Sequence, residues 1–369
     1  MAEATALGWR LSESRWAEID LEAIGANLAA IEARLPARTG IMAVVKANGY
    51  GHGALQVART ALEAGALGLA VSTPQEAIEL HGVCHPKRVL ALGGLAPSQA
   101  PIAVQAGCAV ACHSAELIEA LEAVAEARRP VPVHLKVDSG MGRLGCALEE
   151  APDLARRISR SPRLRLAGVF THFASAEADE AFTRLQFARF QEVLSALTVD
   201  PGLRHACNSA AAHRHPEMAL DAVRTGISLY GYEGEGVRPA LSLRALITQV
   251  KTVPAGGTVG YGRTWTAKRP TRVATIAIGY EDGILRSRSN RGWLMIRGRR
   301  APLVGRVSMD QVTADVDGIP DARPGDVATL IGDGISAVEV AEWSDTAVYE
   351  VLTSIGTRVR RVYDGRWGA

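Results

Sequence analysis

The chain lacks a surplus of charge of either sign: 41 basic against 39 acidic side chains leave a formal net charge of +2. No long-range field would draw it onto nucleic acid or an anionic membrane, so chemistry on a small molecule becomes the expected class. Long apolar runs are missing too. Nothing approaches the ~18–20 apolar residues of a membrane span, and the opening MAEATALGWR has no basic segment followed by an apolar stretch. A cytoplasmic protein with no membrane partner is expected. Cysteine is sparse and odd in number: Cys84, Cys108, Cys112, Cys146 and Cys207 include no Cys-x-x-Cys pair matched by a second, which argues against disulfides and structural zinc. The histidines are scattered. His213 and His215 flank Arg214 in what reads as a polar loop, so a solvated pair and no metal are expected there.

What is present suffices for two packed cores. Hydrophobic residues make up 47% of the 369 residues and charged ones 22%, and the length exceeds the roughly 250–300 residues that one core supports. From Asp20, a suitable N-cap, Leu21, Ile24, Leu28, Ile31 and Leu35 recur at helical spacing until Pro36. Short apolar runs then alternate with Ala/Glu/Arg-rich helical segments: Ile41–Val45, Leu67–Val71, Arg88–Leu92, Ala109–Cys112, Val131–Val137, Leu166–Thr171, Leu203–Cys207 and Ala222–Thr225. This rhythm predicts an α/β fold whose N-terminal domain, residues 17–240, is a (β/α)8 TIM barrel. Beyond Pro239 the period becomes two, with Gly and Pro punctuation, as in Thr271–Gly279, Trp293–Ile296, Pro302–Val307 and Val327–Ile331. A mainly-β domain over 241–369 follows, with residues 8–16 expected as an added strand. Ser336 with Glu339 reads as a capping box, and Ala347–Ile355 as a short helix.

In such barrels chemistry sits where the strands end, which selects polar residues at or just after the ends of five of these runs: Lys46, Lys136, His172, Asn208 and Arg224. Lys46 heads Lys-Ala-Asn-Gly-Tyr50-Gly-His-Gly; an amine beside a flexible turn can condense with an aldehyde cofactor once desolvation or a nearby cation lowers its basicity. The same glycines alternate rather than matching G-x-G-x-x-G, and Ser72-Thr73-Pro74 offers no acidic residue for a ribose, so a dinucleotide site is disfavoured. Asp138-Ser-Gly-Met-Gly-Arg143-Leu-Gly places a guanidinium on a glycine-rich loop, suited to a carboxylate or phenolate. Ser209 and the backbone near Gly226 and Ile227 occupy the loops that bind phosphate in many barrels. Singly, each has a plainer reading: a solvated lysine, an exposed loop arginine, a structural histidine.

Together these motifs resemble the alanine racemase family from Trp16 to Tyr363, with Val259-Gly-Tyr261-Gly, Gly279-Tyr280-Glu-Asp-Gly and Gly305-Arg-Val-Ser-Met309-Asp310-Gln recurring in order. The resemblance implies interconversion of L- and D-alanine on pyridoxal 5'-phosphate bound to Lys46 as an imine. It implies that Tyr50, Ser209, Gly226, Ile227 and Tyr349 hold the phosphate, that Asn208 belongs to the cofactor-binding set, and that Arg224 faces the pyridine nitrogen. Tyr261, given by the partner chain of a homodimer, would be the second base, aided by His172 and Arg224. Arg143, Met309, Tyr280 and Asp310 would bind or enclose the amino-acid substrate, and Lys136 matches a position carbamylated in some members. A cell-wall precursor is the implied product. Ser308 departs from the cysteine of several members, and Arg358-Val-Arg360-Arg361 lacks a proline often found there. The rival readings are a racemase of another amino acid such as serine or a basic residue, a pyridoxal-phosphate-binding protein without turnover, and a decarboxylase. The last would want a carboxylate where Arg224 is expected.

Overall fold

A computed structural model describes residues 13–364. They fall into two compact units: Ala23–Gly49 with Ala54–Arg238, and the residues up to Glu22 with Tyr50–Gly53 and those from Pro239 onward.

Strand β1 (Arg15–Asp20) belongs to the second unit. The first unit is a closed parallel barrel of β2 (Gly40–Val44), β3 (Gly68–Val71), β4 (Val89–Ala91), β5 (Ala109–Cys112), β6 (Val131–Lys136), β7 (Leu164–Phe170), β8 (Leu203–His205) and β9 (Ala222–Thr225). It closes by pairing β2 with β9, Met42 opposite Arg224. Each expected run coincides with a strand to within two residues at either end. Most of these strands are buried along their whole length because helices cover the outside and side chains fill the inside. The interior is not wholly apolar: His134, Lys136, His205 and Arg224 are all buried there. A hollow of about 240 Å³ beside Lys87, Cys108 and Val131 lies where strands begin, the end of a barrel that carries no chemistry.

In the second unit, β10 (Leu241–Val253) is the hub. Its alternating burial from Leu241 to Ile247 marks a sheet with one covered face. Two hairpin strands, β11 (Thr258–Val259) and β12 (Trp265–Thr266), pair with each other. The main sheet adds β13 (Thr271–Ile276), β14 (Trp293–Ile296), β15 (Arg299–Pro302), β16 (Val312–Asp315), β17 (Val327–Ile331) and β18 (Arg360–Asp364) in the order β15-β14-β17-β10-β1-β18, with β13 joining β10 to β16. β1 runs antiparallel to β10 and parallel to β18. Among the described residues the N-terminal strand of this sheet is Arg15–Asp20, which shares Arg15 and Trp16 with the strand expected over 8–16; residues 8–12 lie outside the described residues.

The expected strand over Pro302–Val307 is absent. Arg297 and Gly298, at φ 49° and 73°, form a two-residue hairpin turn that folds Arg299–Pro302 back onto β14, so strand pairing ends where it was expected to begin. Leu303, Val304 and Val307 are apolar because they are buried in a loop, and Leu303 keeps a single bridge to Ala314. The Ser336–Glu339 capping box is present on helix Ala337–Ser344, and the second short helix spans Val348–Thr353.

Candidate active site

Lys46 follows β2, and immediately after it the chain turns left-handed: Ala47, Asn48, Gly49 and Tyr50 have φ of 52°, 53°, 62° and 50°. Such a turn costs L-residues other than glycine about 1–2 kcal/mol each, with Asn tolerated best, so something must hold it. Three bonds do. The Gly49 N–H donates to the Val45 carbonyl at 2.9 Å, the Ala54 N–H to Asn48 Oδ1 at 3.0 Å, and the Ala47 N–H to Glu76 Oε1 at 2.8 Å. Burial, then the charge of Arg143, lowers the basicity of Lys46, while Glu76 opposes them. An amine so placed is easier to deprotonate into a nucleophile.

The Arg143 loop is folded by a carboxylate as much as by its glycines. Asp138 accepts N–H bonds from Gly140, Met141 and Gly142 at 2.8–2.9 Å, and a side chain on Gly145 would strike the Asp138 nitrogen at 2.4 Å. Arg143 itself is exposed, yet its charge is felt at Lys46, Lys136 and His172. Lys136 is brought down to about 8, by burial first and then by Arg224 and Arg143.

Arg224 is the best-anchored group of the mouth. Its Nη2 donates to the carbonyls of Thr171 and Ala206 at 2.8 Å, with His172 Nδ1 at 3.2 Å, and its Nη1 meets His205 Nδ1 at 2.7 Å. A guanidinium only donates, so His205 must accept at Nδ1 and carry its proton on Nε2. That nitrogen lies 2.9 Å from His134 Nδ1, which must accept in turn. Burial holds all three imidazoles neutral, with His134 down to about 3 and His172 and His205 well below the ordinary histidine range. The Phe170 ring stacks on His205 at 4.7 Å and carries Lys136 Nζ at 5.5 Å and Arg224 Cζ at 5.3 Å from its centre. It is an apolar floor under the cations.

Beside Arg224, just beyond the neighbouring strand β8, Asn208 Oδ1 caps helix Ser209–Arg214 by accepting the Ala211 N–H at 3.0 Å. Ser209 Oγ accepts N–H bonds from Gly226 and Ser228 at 3.0 and 3.3 Å. With both lone pairs engaged, its O–H is left to donate. Ile227 is buried between these two donors. His213 and His215 are not a solvated pair: both are buried, His213 packed on Gly234. The last turn of helix Ser209–Arg214 presses His213 inward, which hydrophilic neighbours in the sequence hide. Among the described residues no cluster of three or more His, Cys, Asp or Glu is placed to hold a metal.

The remaining candidates lie in the second unit. Tyr50 is buried and its ring lies 6.0 Å from that of Tyr349; burial and Tyr349 push its hydroxyl basicity upward. Tyr261 sits on the β11–β12 connection between Gly260 and Gly262, at φ 74° and 71°, and is 73% exposed. With Tyr280, Met309, Asp310, Arg286 and Arg306 it lines an open cavity of about 950 Å³. The loops here are pinned by a buried carboxylate. Asp282 receives Arg15 Nη1 at 2.9 Å and Arg358 Nε at 2.7 Å, and Arg358 also reaches Asp310 at 2.7 Å. Tyr280 and Glu281 donate their N–H groups to the carbonyls of Ser308 and Met309, and a side chain on Gly279 would meet the Met309 oxygen at 2.2 Å. Ser308 closes its own turn through Oγ, which donates to the Gln311 carbonyl at 2.8 Å and accepts the Gln311 N–H at 3.2 Å. Arg360 begins β18.

Sequence reasoning missed Glu76, His205 and the Asp282–Arg358 pair. Thr73-x-x-Glu76 is a legible capping box; the other two are joined only by tertiary structure.

Two family models match, alanine racemase N-terminal domain over residues 19–234 and alanine racemase C-terminal domain over 240–363. The alanine racemase of Symbiobacterium thermophilum is 42% identical, covering 95% of this chain and 97% of that one. The crystal structure of alanine racemase from D-cycloserine-producing Streptomyces lavendulae is 37% identical with a TM-score of 0.89, covering 95% and 97% of the two chains. That from Bartonella henselae, with covalently bound pyridoxal phosphate, is 30% identical with a TM-score of 0.86, over 95% and 100%. By sequence and by fold, the chain belongs to the alanine racemase family.

Proposed function

We propose that this chain interconverts L- and D-alanine with pyridoxal phosphate carried on Lys46. The observation that supports it most is the placement of an amine of lowered basicity at the end of the first barrel strand, with Arg143, Lys136 and Arg224 as neighbouring cations. The residues fit the cofactor. Ser209 has a hydroxyl hydrogen to give an anion beside the Gly226–Ile227 backbone, and Arg224 is donor-only, suiting an unprotonated ring nitrogen. Tyr50, Asn208 and Tyr349 complete the assigned cofactor-binding set, Asn208 by capping the helix that presents Ser209.

When bound, pyridoxal phosphate supplies an aldehyde for the substrate amine and a conjugated ring that acidifies Cα–H. Lys46 Nζ removes or returns a proton at Cα on one face. Tyr261 Oη, from a second copy of the chain, does the same on the other, with His172 and Arg224 assigned to assist it. Arg143 and the Met309 backbone bind the carboxylate, Tyr280 and Tyr349 narrow the entrance, and Asp310 belongs to the substrate-binding set. The exposure of Tyr261, Tyr280 and Met309 supports a homodimer in which a partner covers them; light scattering of the purified protein tests it. Lys136, an amine near 8 among cations, suits carbamylation, read by mass gain under bicarbonate.

Five free thiols accord with a cytoplasmic setting, and rescue of a D-alanine-requiring strain tests a role in cell-wall supply. The decisive experiment is incubation of either alanine enantiomer in deuterated water. Equal mixtures deuterated at Cα are expected; carbon dioxide release, or no exchange, would reject the assignment.

A further inference from the structure

Glu76 lies outside every motif that carried the functional reading, yet its carboxylate joins the ends of two barrel strands. Oε1 accepts the Ala47 N–H at 2.8 Å, on the residue immediately after Lys46. Oε2 accepts the N–H groups of Ser72 at 2.6 Å and Thr73 at 3.2 Å, just beyond β3. The helix that carries Glu76 begins at Pro74 and is capped by Thr73, whose Oγ1 accepts the Glu76 N–H at 3.3 Å. A capping glutamate ordinarily satisfies its own N-cap; here one oxygen is diverted to another strand, to the first N–H of a left-handed run.

Both consequences bear on Lys46. The left-handed turn fixes where the Lys46 Cα stands, and the Ala47 N–H is the only bond described above that ties its first residue to a neighbouring strand. The carboxylate is also the anion that acts on the Lys46 amine, against burial and Arg143. We propose that Glu76 is a positioning residue for Lys46: by holding the Ala47 N–H it aims the amine at the substrate carbon, and by its charge it keeps that amine a competent proton carrier. The inference rests on the racemase reading above and on no group absent from the chain.

The test uses a property peculiar to a reaction with one base on each face. The two enantiomers have equal energy, so any variant slows both directions of kcat/KM equally; isotope effects need not follow. With Cα-deuterated substrates and the holoenzyme, Glu76→Gln should lower kcat about 10–10²-fold, as a misplaced reacting group does. The primary isotope effect should rise for the enantiomer whose Cα deuterium Lys46 removes and fall for its mirror image. In the cofactor-free full chain, competitive acetylation of Lys46 across pH should show its midpoint displaced to lower pH, because a stabilising anion is gone.

Thr73→Ala removes the hydroxyl cap and leaves the carboxylate. It should lower the melting temperature with both isotope effects and the acetylation midpoint at their wild-type values. Should Glu76→Gln fail to fold, Glu76→Asp, which keeps the charge on a shorter reach, is measured in the same way; it should shift the isotope effects in opposite directions with the midpoint near wild type. Unchanged isotope effects together with an unchanged midpoint in a folded Glu76 variant overturn the proposal. A wild-type protein that exchanges no Cα hydrogen instead overturns the racemase reading, so the two failures are distinct.

Discussion

The barrel mouth and the tyrosine-bearing loops of the β unit hold their chemistry in different ways. Arg224 is 3% exposed and its two terminal nitrogens reach two carbonyls and two imidazoles, whereas Tyr261 is 73% exposed. The first region sets the state of its side chains by burial: imidazoles are kept neutral and lysines made less basic. In the second region it is the backbone that is fixed, through Asp282 and its two arginines, while Tyr261, Tyr280 and Met309 stand open. A fold can thus preorganise one half of a two-sided reaction and leave the other to be completed on assembly. That is the physical content of the proposed homodimer.

The largest effects should come from removing either acid–base group. Lys46→Ala should abolish turnover and the borohydride-reducible adduct at residue 46, read by peptide mass spectrometry. Turnover surviving in that variant would break the assignment of the barrel as the covalent half. Tyr261→Phe should lower kcat by about 10²–10⁴-fold, the usual worth of a general acid–base group, and leave the cofactor's visible absorption unchanged. Mixing it with Lys46→Ala protein sharpens the comparison further. If each site draws its tyrosine from the partner, the mixed dimer has one site with both groups intact, and activity should reappear in a mixture of two inactive variants. No recovery after subunit exchange would mean that both groups belong to the same chain.

Next in size is the scaffold of the open region. Asp282→Asn replaces the buried carboxylate gripped by two partly exposed arginines, Arg15 and Arg358, with a neutral amide, so the loops lose their charged clamp. The melting temperature should fall by several degrees, and KM for alanine should rise more than kcat falls, because Arg358 also steadies Asp310 and the Met309 carbonyl. A lowered melting temperature with unaltered KM would show that the network serves stability alone.

The barrel was legible because its signal is repeated. Buried strands are continuous apolar runs, and a polar residue at the end of such a run stands out, so Lys46, Lys136 and Arg224 announced themselves. The β unit was read less well. The Arg297–Gly298 turn is not among the commonest hairpin dipeptides, and the buried loop after it imitates a strand in composition. Tyr261 was recognised by resemblance, since a tyrosine between glycines carries no chemistry of its own in sequence. His205 and Glu76 escaped because each acts through another residue: one orients Arg224, the other holds the turn behind Lys46. Such relations exist only once strands are side by side.

The smallest predicted effect separates the two regions by pH. From Pro239 to the C-terminus there is no histidine, and His52 is the one histidine of the second unit, whereas the barrel buries His134, His172 and His205 in neutral form. Unfolded, these rings would take up protons near pH 6.5; folded, they do not until far lower, about 3 for His134. Below pH 6.5 the unfolded chain therefore binds more protons than the folded one, and barrel stability falls by about 1.4 kcal/mol per pH unit for each such ring. Hydrogen exchange at pH 7.5 and 5.5, corrected for intrinsic rates, should show protection lost on acidification in β6, β7 and β8 but not in β10, β13 and β17. His134→Gln should be less stable than wild type at pH 7.5 and less sensitive to acid, because one of the three rings no longer titrates. Equal acid sensitivity in the two units would mean that carboxylates, which both contain, govern the response instead.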